Sequence, residues 1–293
     1  MKFFISSFIE KANFDFARYR KLSLFISITL ILITFLLVII KGINFGVDFN
    51  GGLVFEIKSN QKIDLDVIKL QLIENKNLNT PTLHYLQDNK NALIKIKSQD
   101  NDKDIQTVKA ALKKYQFTYQ KIDYVGPQVS QILITKGIIS VILALFGIFI
   151  YLTFRFNYKF GIGGVLSLVH DVIIIFGIYS LFSLEFSTSS IVAILTIIGY
   201  SINDSVVIFD KIRESSRKIK NKYQLINLSI NSTLSRTTLT SFTTILAILP
   251  IILVSSGEVK DFATIILSGV IVGTYSSIFI SAPITLLGVK GDK

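Results

Sequence analysis

The sequence predicts a polytopic α-helical membrane protein with six transmembrane helices and one small α+β domain inserted between helices 1 and 2. Three observations predict it. The 293 residues are 50% hydrophobic and only 17% charged, with a mean hydropathy of +0.55, outside the range of ordinary soluble domains. Six apolar runs are long enough to cross a bilayer core of about 30 Å at about 1.5 Å per residue. A single stretch of soluble length, between the first and second runs, alternates in the manner of strands and amphipathic helices.

The first run covers residues 22–40. It is long for the apolar region of a cleaved signal peptide, it starts late, and no small-residue cleavage site follows it. Further runs cover residues 135–154, 161–182, 189–209, 234–254 and 262–287. The division expected is a cytoplasmic N-terminal tail (1–21), a first transmembrane helix (22–42), an extracytoplasmic domain (43–134), a five-helix transmembrane domain (135–288) and a cytoplasmic tail (289–293).

Charge sets the orientation. Lys2, Lys11, Arg18, Arg20 and Lys21 precede the first run. Lys211, Arg213, Arg217, Lys218, Lys220 and Lys222 follow the fourth, and the turn from Arg155 to Lys159 and the tail with Lys290 and Lys293 are also basic. A six-span count puts all of these on one side, and a cation-rich side is cytoplasmic. The opposite short loops hold Glu185 and Glu258-Val259-Lys260-Asp261. The net charge of +11 therefore reads as a topology signal, and no nucleic-acid partner is expected. The basic segment 213–229, with Ile219, Tyr223 and Ile226 three to four apart, reads either as an amphipathic stretch along membrane lipids or as a solvated connector.

In the inserted domain, Gly51-Gly52-Leu53-Val54-Phe55-Glu56-Ile57-Lys58 alternates like a strand after a glycine turn. Residues 64–75 have helical spacing, with Leu65, Ile68, Leu72 and Ile73 on one side. Residues 82–86 and 92–97 read as a hairpin across Asp88-Asn89-Lys90. A second helix over 104–114, with Ile105, Val108 and Leu112 as its stripe, and a strand over 117–125 complete a β-α-β-β-α-β order. That order predicts a ferredoxin-like sandwich. His84 reads as a partly buried or surface strand residue with no catalytic neighbours.

Several function classes are excluded. With no Cys and two His, there is no disulfide framework, thiolate metal site or His-rich metal centre. No P-loop, His-Glu-x-x-His or Gly-x-Ser-x-Gly motif occurs. No enzyme, metal or organic cofactor is expected.

The informative residues lie inside the apolar runs: Asp171, Asp204 and Arg236. An acid at the bilayer centre costs about 2.5–3.5 kcal/mol on insertion scales, so it faces a partner or water and marks an ion path. Asp204 and its neighbour Asn203 sit in Gly199-Tyr200-Ser201-Ile202-Asn203-Asp204-Ser205-Val206-Val207. The alternatives for Asp204 are a proton relay and a structural interhelical bond; for Asp171, beside His170, they are the same. Arg236, Thr240, Thr243 and Thr244 share one helical face that can line a hydrated cavity. Arginine stays charged and cannot carry the proton, so Arg236 reads as an electrostatic partner of Asp204 or as a snorkelling helix-end residue. Gly269 and Gly273 form a small-xxx-small packing pair. Gly46, Asp48, Gly51 and Gly52, in Gly46-Val47-Asp48-Phe49-Asn50-Gly51-Gly52, read on their own as a tight turn joining helix to sheet.

Taken together these motifs resemble the SecD/SecF family. The glycine turn, Val125-Gly126-Pro127, Phe154-Arg155-Phe156, His170-Asp171-Val172, the Asp204 run, Asp210-Lys211-Ile212-Arg213-Glu214 and Ser235-Arg236-Thr237 follow its order over residues 42–288. The order Asn203-Asp204 and the small inserted domain resemble the SecF branch of that family. The resemblance implies an RND-like half of six helices in the bacterial inner membrane, both termini cytoplasmic. It implies SecD as pseudo-symmetric partner, together with the SecYEG translocon, an accessory YajC-type subunit and the unfolded secretory protein. It also implies use of the proton motive force to promote late translocation, with Asp204, Arg236, Asn203 and Asp171 as coupling residues; a sodium (Na+) gradient suits a lone carboxylate among hydroxyls equally. A half of an RND-type small-molecule exporter and a non-conducting translocon scaffold are the competing readings.

Overall fold

Apolar runs longer than four turns leave the backbone only one way to satisfy its polar groups in lipid, the α-helix. The computed structural model describes residues 14–74, 81–86, 89–98 and 101–287. Lys2, Lys11, Asn75, Asp88, Lys290 and Lys293, which entered the expectations above, lie outside the described residues.

In chain order, α1 (Arg20–Lys41) leads through the short β1 (Asn44–Phe45) and the single-turn α2 (Val47–Asn50) into the α+β domain. The domain comprises β2 (Gly52–Lys58), α3 (Leu65–Glu74), β3 (Thr82–Tyr85), β4 (Asn91–Ile96), α4 (Asn101–Leu112), a 3-10 turn (Lys113–Tyr115) and β5 (Thr118–Val125). The chain then returns through α5 (Pro127–Arg155), α6 (Tyr158–Phe182), β6 (Glu185–Phe186), α7 (Thr188–Ser215), α8 (Lys222–Val254) and α9 (Gly257–Ser276). A π turn (Ser277–Ser281) and α10 (Ala282–Leu287) continue the line of α9. Among the described residues six helices are long and apolar enough to cross a membrane.

The elements expected from periodicity are present, and several are longer. Pro127 starts α5 eight residues before the apolar run, with proline in the first turn, where its missing N–H is not needed. The segment 213–229 is a connector only over residues 216–221, where Arg217, Lys218, Lys220 and Asn221 are exposed. α7 runs on to Ser215, and α8 begins at Lys222, capped by Asn221, with Leu225, Ile226 and Ser229 buried. The glycine turn holds a helical turn between its two glycine ends.

The four strands of the α+β domain form an antiparallel sheet in the order β3-β4-β2-β5, with Leu53 opposite both Ile96 and Tyr124. Leu53, Phe55, Ile57, Ile94 and Ile96 meet Ile68, Leu72, Val108 and Leu112 in a closed apolar core. Gly51 and Gly52 are both at positive φ, +75° and +154°. A Cβ on Gly52 would collide with the carbonyl oxygen of Ile96 in the neighbouring strand. Gly52→Ala therefore combines backbone strain of about 1–3 kcal/mol with loss of the β2–β4 register. The expected result is faster amide exchange across β2 and β4 than in the wild type; unchanged protection would show that the strand end relaxes freely.

In the membrane half, α6, α7 and α9 form the inside of the bundle, each about half buried, while α1, α5 and α8 present most of their surface outward. Gly269 would meet Ile197 and Gly273 would meet Ser201 if either carried a Cβ. The two glycines thus set the close approach of α9 to α7.

Candidate ion-coupling site

That close approach assembles a polar centre around Asp171. Asp171, on α6, is fully buried. Its Oδ2 accepts hydrogen bonds from Ser201 Oγ on α7 at 2.7 Å and from Ser276 Oγ on α9 at 2.8 Å. Its Oδ1 lies 3.1 Å from His170 Nδ1. Three helices thus converge on one carboxylate, and the π turn starts immediately after Ser276. A π turn inside a helix often marks a functional position. Ser201 and Ser276 did not stand out in the sequence. Ser201 appeared only as part of the Asp204 run, and Ser276 is one of four serines in α9 and the π turn.

Asp204 is placed differently. It lies three residues after Ser201 on α7, hence on the same face, and is 2% exposed. Its Oδ2 is buried with no hydrogen-bond partner. Arg236 does not close on it: among the described residues no ion pair joins them, and the Arg236 side chain is exposed on α8. Asn203 is separated from its neighbour, lying exposed on the outer face of α7 in line with Gly199, Thr196 and Val192. The expected partners Arg236 and Asp204 are therefore unbonded here, and Asn203 does not share the buried site.

The Arg236 face, expected to line a hydrated cavity, instead points away from this chain's own bundle. Thr243 is exposed, and Thr240 and Thr244 are half-buried. All three threonines return their hydroxyls to backbone carbonyls of α8. Ser241, on another face of α8, joins Tyr200 and Thr274 in a network linking α7, α8 and α9.

The glycine turn serves the same helices. Asp48 Oδ2 accepts the Thr188 N–H at 2.8 Å, capping the start of α7 with a negative charge where the helix dipole favours one. Gly46 N donates to Phe186 O, and β1 pairs in parallel with β6. A Cβ on Gly46 would collide with Glu185 Oε1. The turn is thus a clasp between the domain and α7 as well as a change of direction. At the other end of the bundle, Asp210 bonds Arg155 and Arg213, at 3.2 and 2.8 Å, joining two of the sequence motifs.

Among the described residues no group of three or more His, Cys, Asp or Glu could hold a metal ion. The site offers two buried carboxylates and hydroxyls, a set able to take and release a proton or to hold a small monovalent cation.

Comparison with known proteins agrees with this layout. Residues 105–290 match the family "Protein export membrane protein SecD/SecF, C-terminal", and residues 36–63 match the "SecD/SecF GG Motif". The Protein translocase subunit SecF of Rickettsia felis is 44% identical over 94% of this chain and 92% of its own length. That of Rickettsia rickettsii is 43% identical over 96% and 94%. The crystal structure of SecDF, a translocon-associated membrane protein from Thermus thermophilus, superimposes with a TM-score of 0.82 at 32% identity. The match covers 95% of this chain and 39% of the SecDF chain. SecDF in its super-membrane-facing form gives 0.71 at 33% identity, over 94% of this chain and 38% of that one. With a family match over more than half its length and such relatives, this chain belongs to the SecD/SecF family of protein export membrane proteins.

Proposed function

We propose that the chain is the SecF-type subunit of the Sec protein-export machinery, paired with SecD in the bacterial inner membrane. The pair uses the proton motive force to promote late, ATP-independent translocation. Asp204, Asp171, Arg236 and Asn203 are its coupling residues. The observation that carries this reading is Asp204: a carboxylate oxygen buried in mid-span with no hydrogen-bond donor. A buried polar atom left unsatisfied calls for an explanation. Here the explanation is a group that must be free to exchange a proton, while Asp171, bonded one turn earlier on α7, ties three helices together. A sodium gradient is the alternative driving ion.

Further features support the arrangement. The exposed Asn203 and Arg236 lie in helices of membrane length. Polar groups at that depth need protein or water around them, not lipid, and a SecD half facing them supplies it. The SecYEG translocon, a YajC-type subunit and the unfolded secretory chain complete the proposed assembly. The sheet order β3-β4-β2-β5 with two helices supports a ferredoxin-like domain, held on the extracytoplasmic side by the charge bias, both termini being cytoplasmic.

The test is export of a secretory protein into inverted vesicles, with ATP fixed and the proton gradient varied, with and without the SecD pair containing this chain. A gradient response that needs the pair supports the reading. An export yield that rises with the pair but ignores both proton and sodium gradients assigns it to a scaffold.

A further inference from the structure

Outside the intramembrane site, the α+β domain meets the bundle through a buried ion cluster. Lys95, on β4, is only 6% exposed, and a lysine is almost never so buried unless paired. Its Nζ donates to Glu185 Oε1 at 3.1 Å and also to Glu258 Oε1. Glu185 opens β6, in the link from α6 to α7, and Glu258 lies in the first turn of α9. His84 Nε2, on β3, stands 3.7 Å from Glu185 Oε2, longer than a hydrogen bond. Around the cluster, Ser256 Oγ donates to Tyr85 O, and Gly257, at φ +61°, packs directly on the His84 side chain. Burial pushes the Glu185 carboxyl up; the facing His84 ring and the Lys95 ammonium outweigh this and hold it below its ordinary value, so it is ionised. One domain lysine thus joins carboxylates at the ends of three helices.

Those helices are the three that meet at Asp171. α6 contributes the acid, α7 Ser201 and α9 Ser276, while the α6–α7 link and the start of α9 contribute the carboxylates that hold Lys95. The Asp48 cap adds a second tie, from the glycine turn to the first turn of α7. Buried ion pairs are often no more stabilising than apolar packing, and their best-attested use is to fix register. A device that fixes the domain's position on moving helices fits that use.

We propose that Lys95, Glu185 and Glu258 form a latch through which α6, α7 and α9 position the α+β domain. A change of charge at the intramembrane carboxylates then carries the domain with the helices, instead of leaving it to swing on its two chain connections. The latch residues are positioning residues, since none faces the ion site. The inference rests on the ion-coupling reading, but its test does not use export.

The natural chain has no cysteine, so spin labels can be placed on Gln106→Cys in α4 and Val254→Cys at the end of α8, both exposed. Pulsed-EPR distances are measured on the complex with cysteine-free SecD in liposomes. With the latch intact, and equally in Lys95→Arg, a single distance population is expected. Lys95→Met and the milder Glu185→Gln should each add a longer population. Asp171→Asn should shift the wild-type distance and leave the Lys95→Met distribution unmoved, which is the coupling signature a merely structural pair lacks. Three results would overturn the latch: distances in Lys95→Met and Glu185→Gln identical to wild type, an Asp171→Asn shift of equal size with and without Lys95, or no Asp171→Asn shift with the latch intact. The ion-coupling reading stands or falls separately, on gradient-dependent export.

Discussion

Asp204→Asn is expected to abolish the response of export to the proton gradient while the protein still folds and assembles with SecD. The side chain keeps its shape, so the packing of α7 against its neighbours is preserved. Asp204 has no ion pair to lose, and its Oδ2 accepts no hydrogen bond. Removing a buried charge without a bonded partner costs little stability and relieves desolvation. What disappears is the ability to carry a proton. One charge crossing about 100 mV is worth about 2.3 kcal/mol, enough to bias a two-state equilibrium more than tenfold, and that bias is what the variant forgoes. The measurement is the initial export rate in inverted vesicles against gradient size at fixed ATP. A wild-type slope in the variant would place coupling elsewhere, on SecD or on Asp171.

How far the chain could be read in advance depends on which environment each side chain meets. The six spans were legible because lipid leaves a long apolar run no other stable backbone. Their ends were not, since residues such as Leu225 and Ile226 extend α8 into a buried cluster that only the folded bundle supplies. Asp171 and Asp204 stood out because acids in apolar runs are costly. Their division of labour did not, because it depends on α9 bringing Ser276 to Asp171 and on nothing bringing a donor to Asp204 Oδ2. Arg236 stood out as a cation in an apolar run, whereas its outward direction is set by the rotation of α8 in the bundle. The latch was hidden by the same alternation that revealed the strand. In Ala92-Leu93-Ile94-Lys95-Ile96-Lys97 the lysine falls on the face opposite Ala92, Ile94 and Ile96, where a soluble domain would meet water. Here that face meets the ends of the membrane helices, so a position that reads as solvent-facing is buried.

Asp171→Asn should behave in a contrasting way, losing stability before anything else. The carboxylate accepts from two serine hydroxyls and faces the His170 ring, and it is fully buried. Both serine hydroxyls bond the same oxygen, Oδ2, so an amide oxygen in that place keeps both bonds but loses their charge assistance, and its NH2 group falls where Oδ1 faces His170 Nδ1. Ser276 can turn to the Gly273 carbonyl, already 3.2 Å away. Among the described residues Ser201 makes no other side-chain hydrogen bond, and a hydrogen bond to a charged group is worth about 1.5–3 kcal/mol against about 0.5–1.5 kcal/mol for a neutral one, so both serine bonds weaken. Thermal unfolding of the purified complex with SecD should therefore show Asp171→Asn clearly less stable than Asp204→Asn. The two variants differ by the same single atom exchange, so the comparison isolates the surroundings of each acid. Equal stability of Asp171→Asn and wild type would mean that the buried carboxylate is not holding α6, α7 and α9 together as an ionised acceptor.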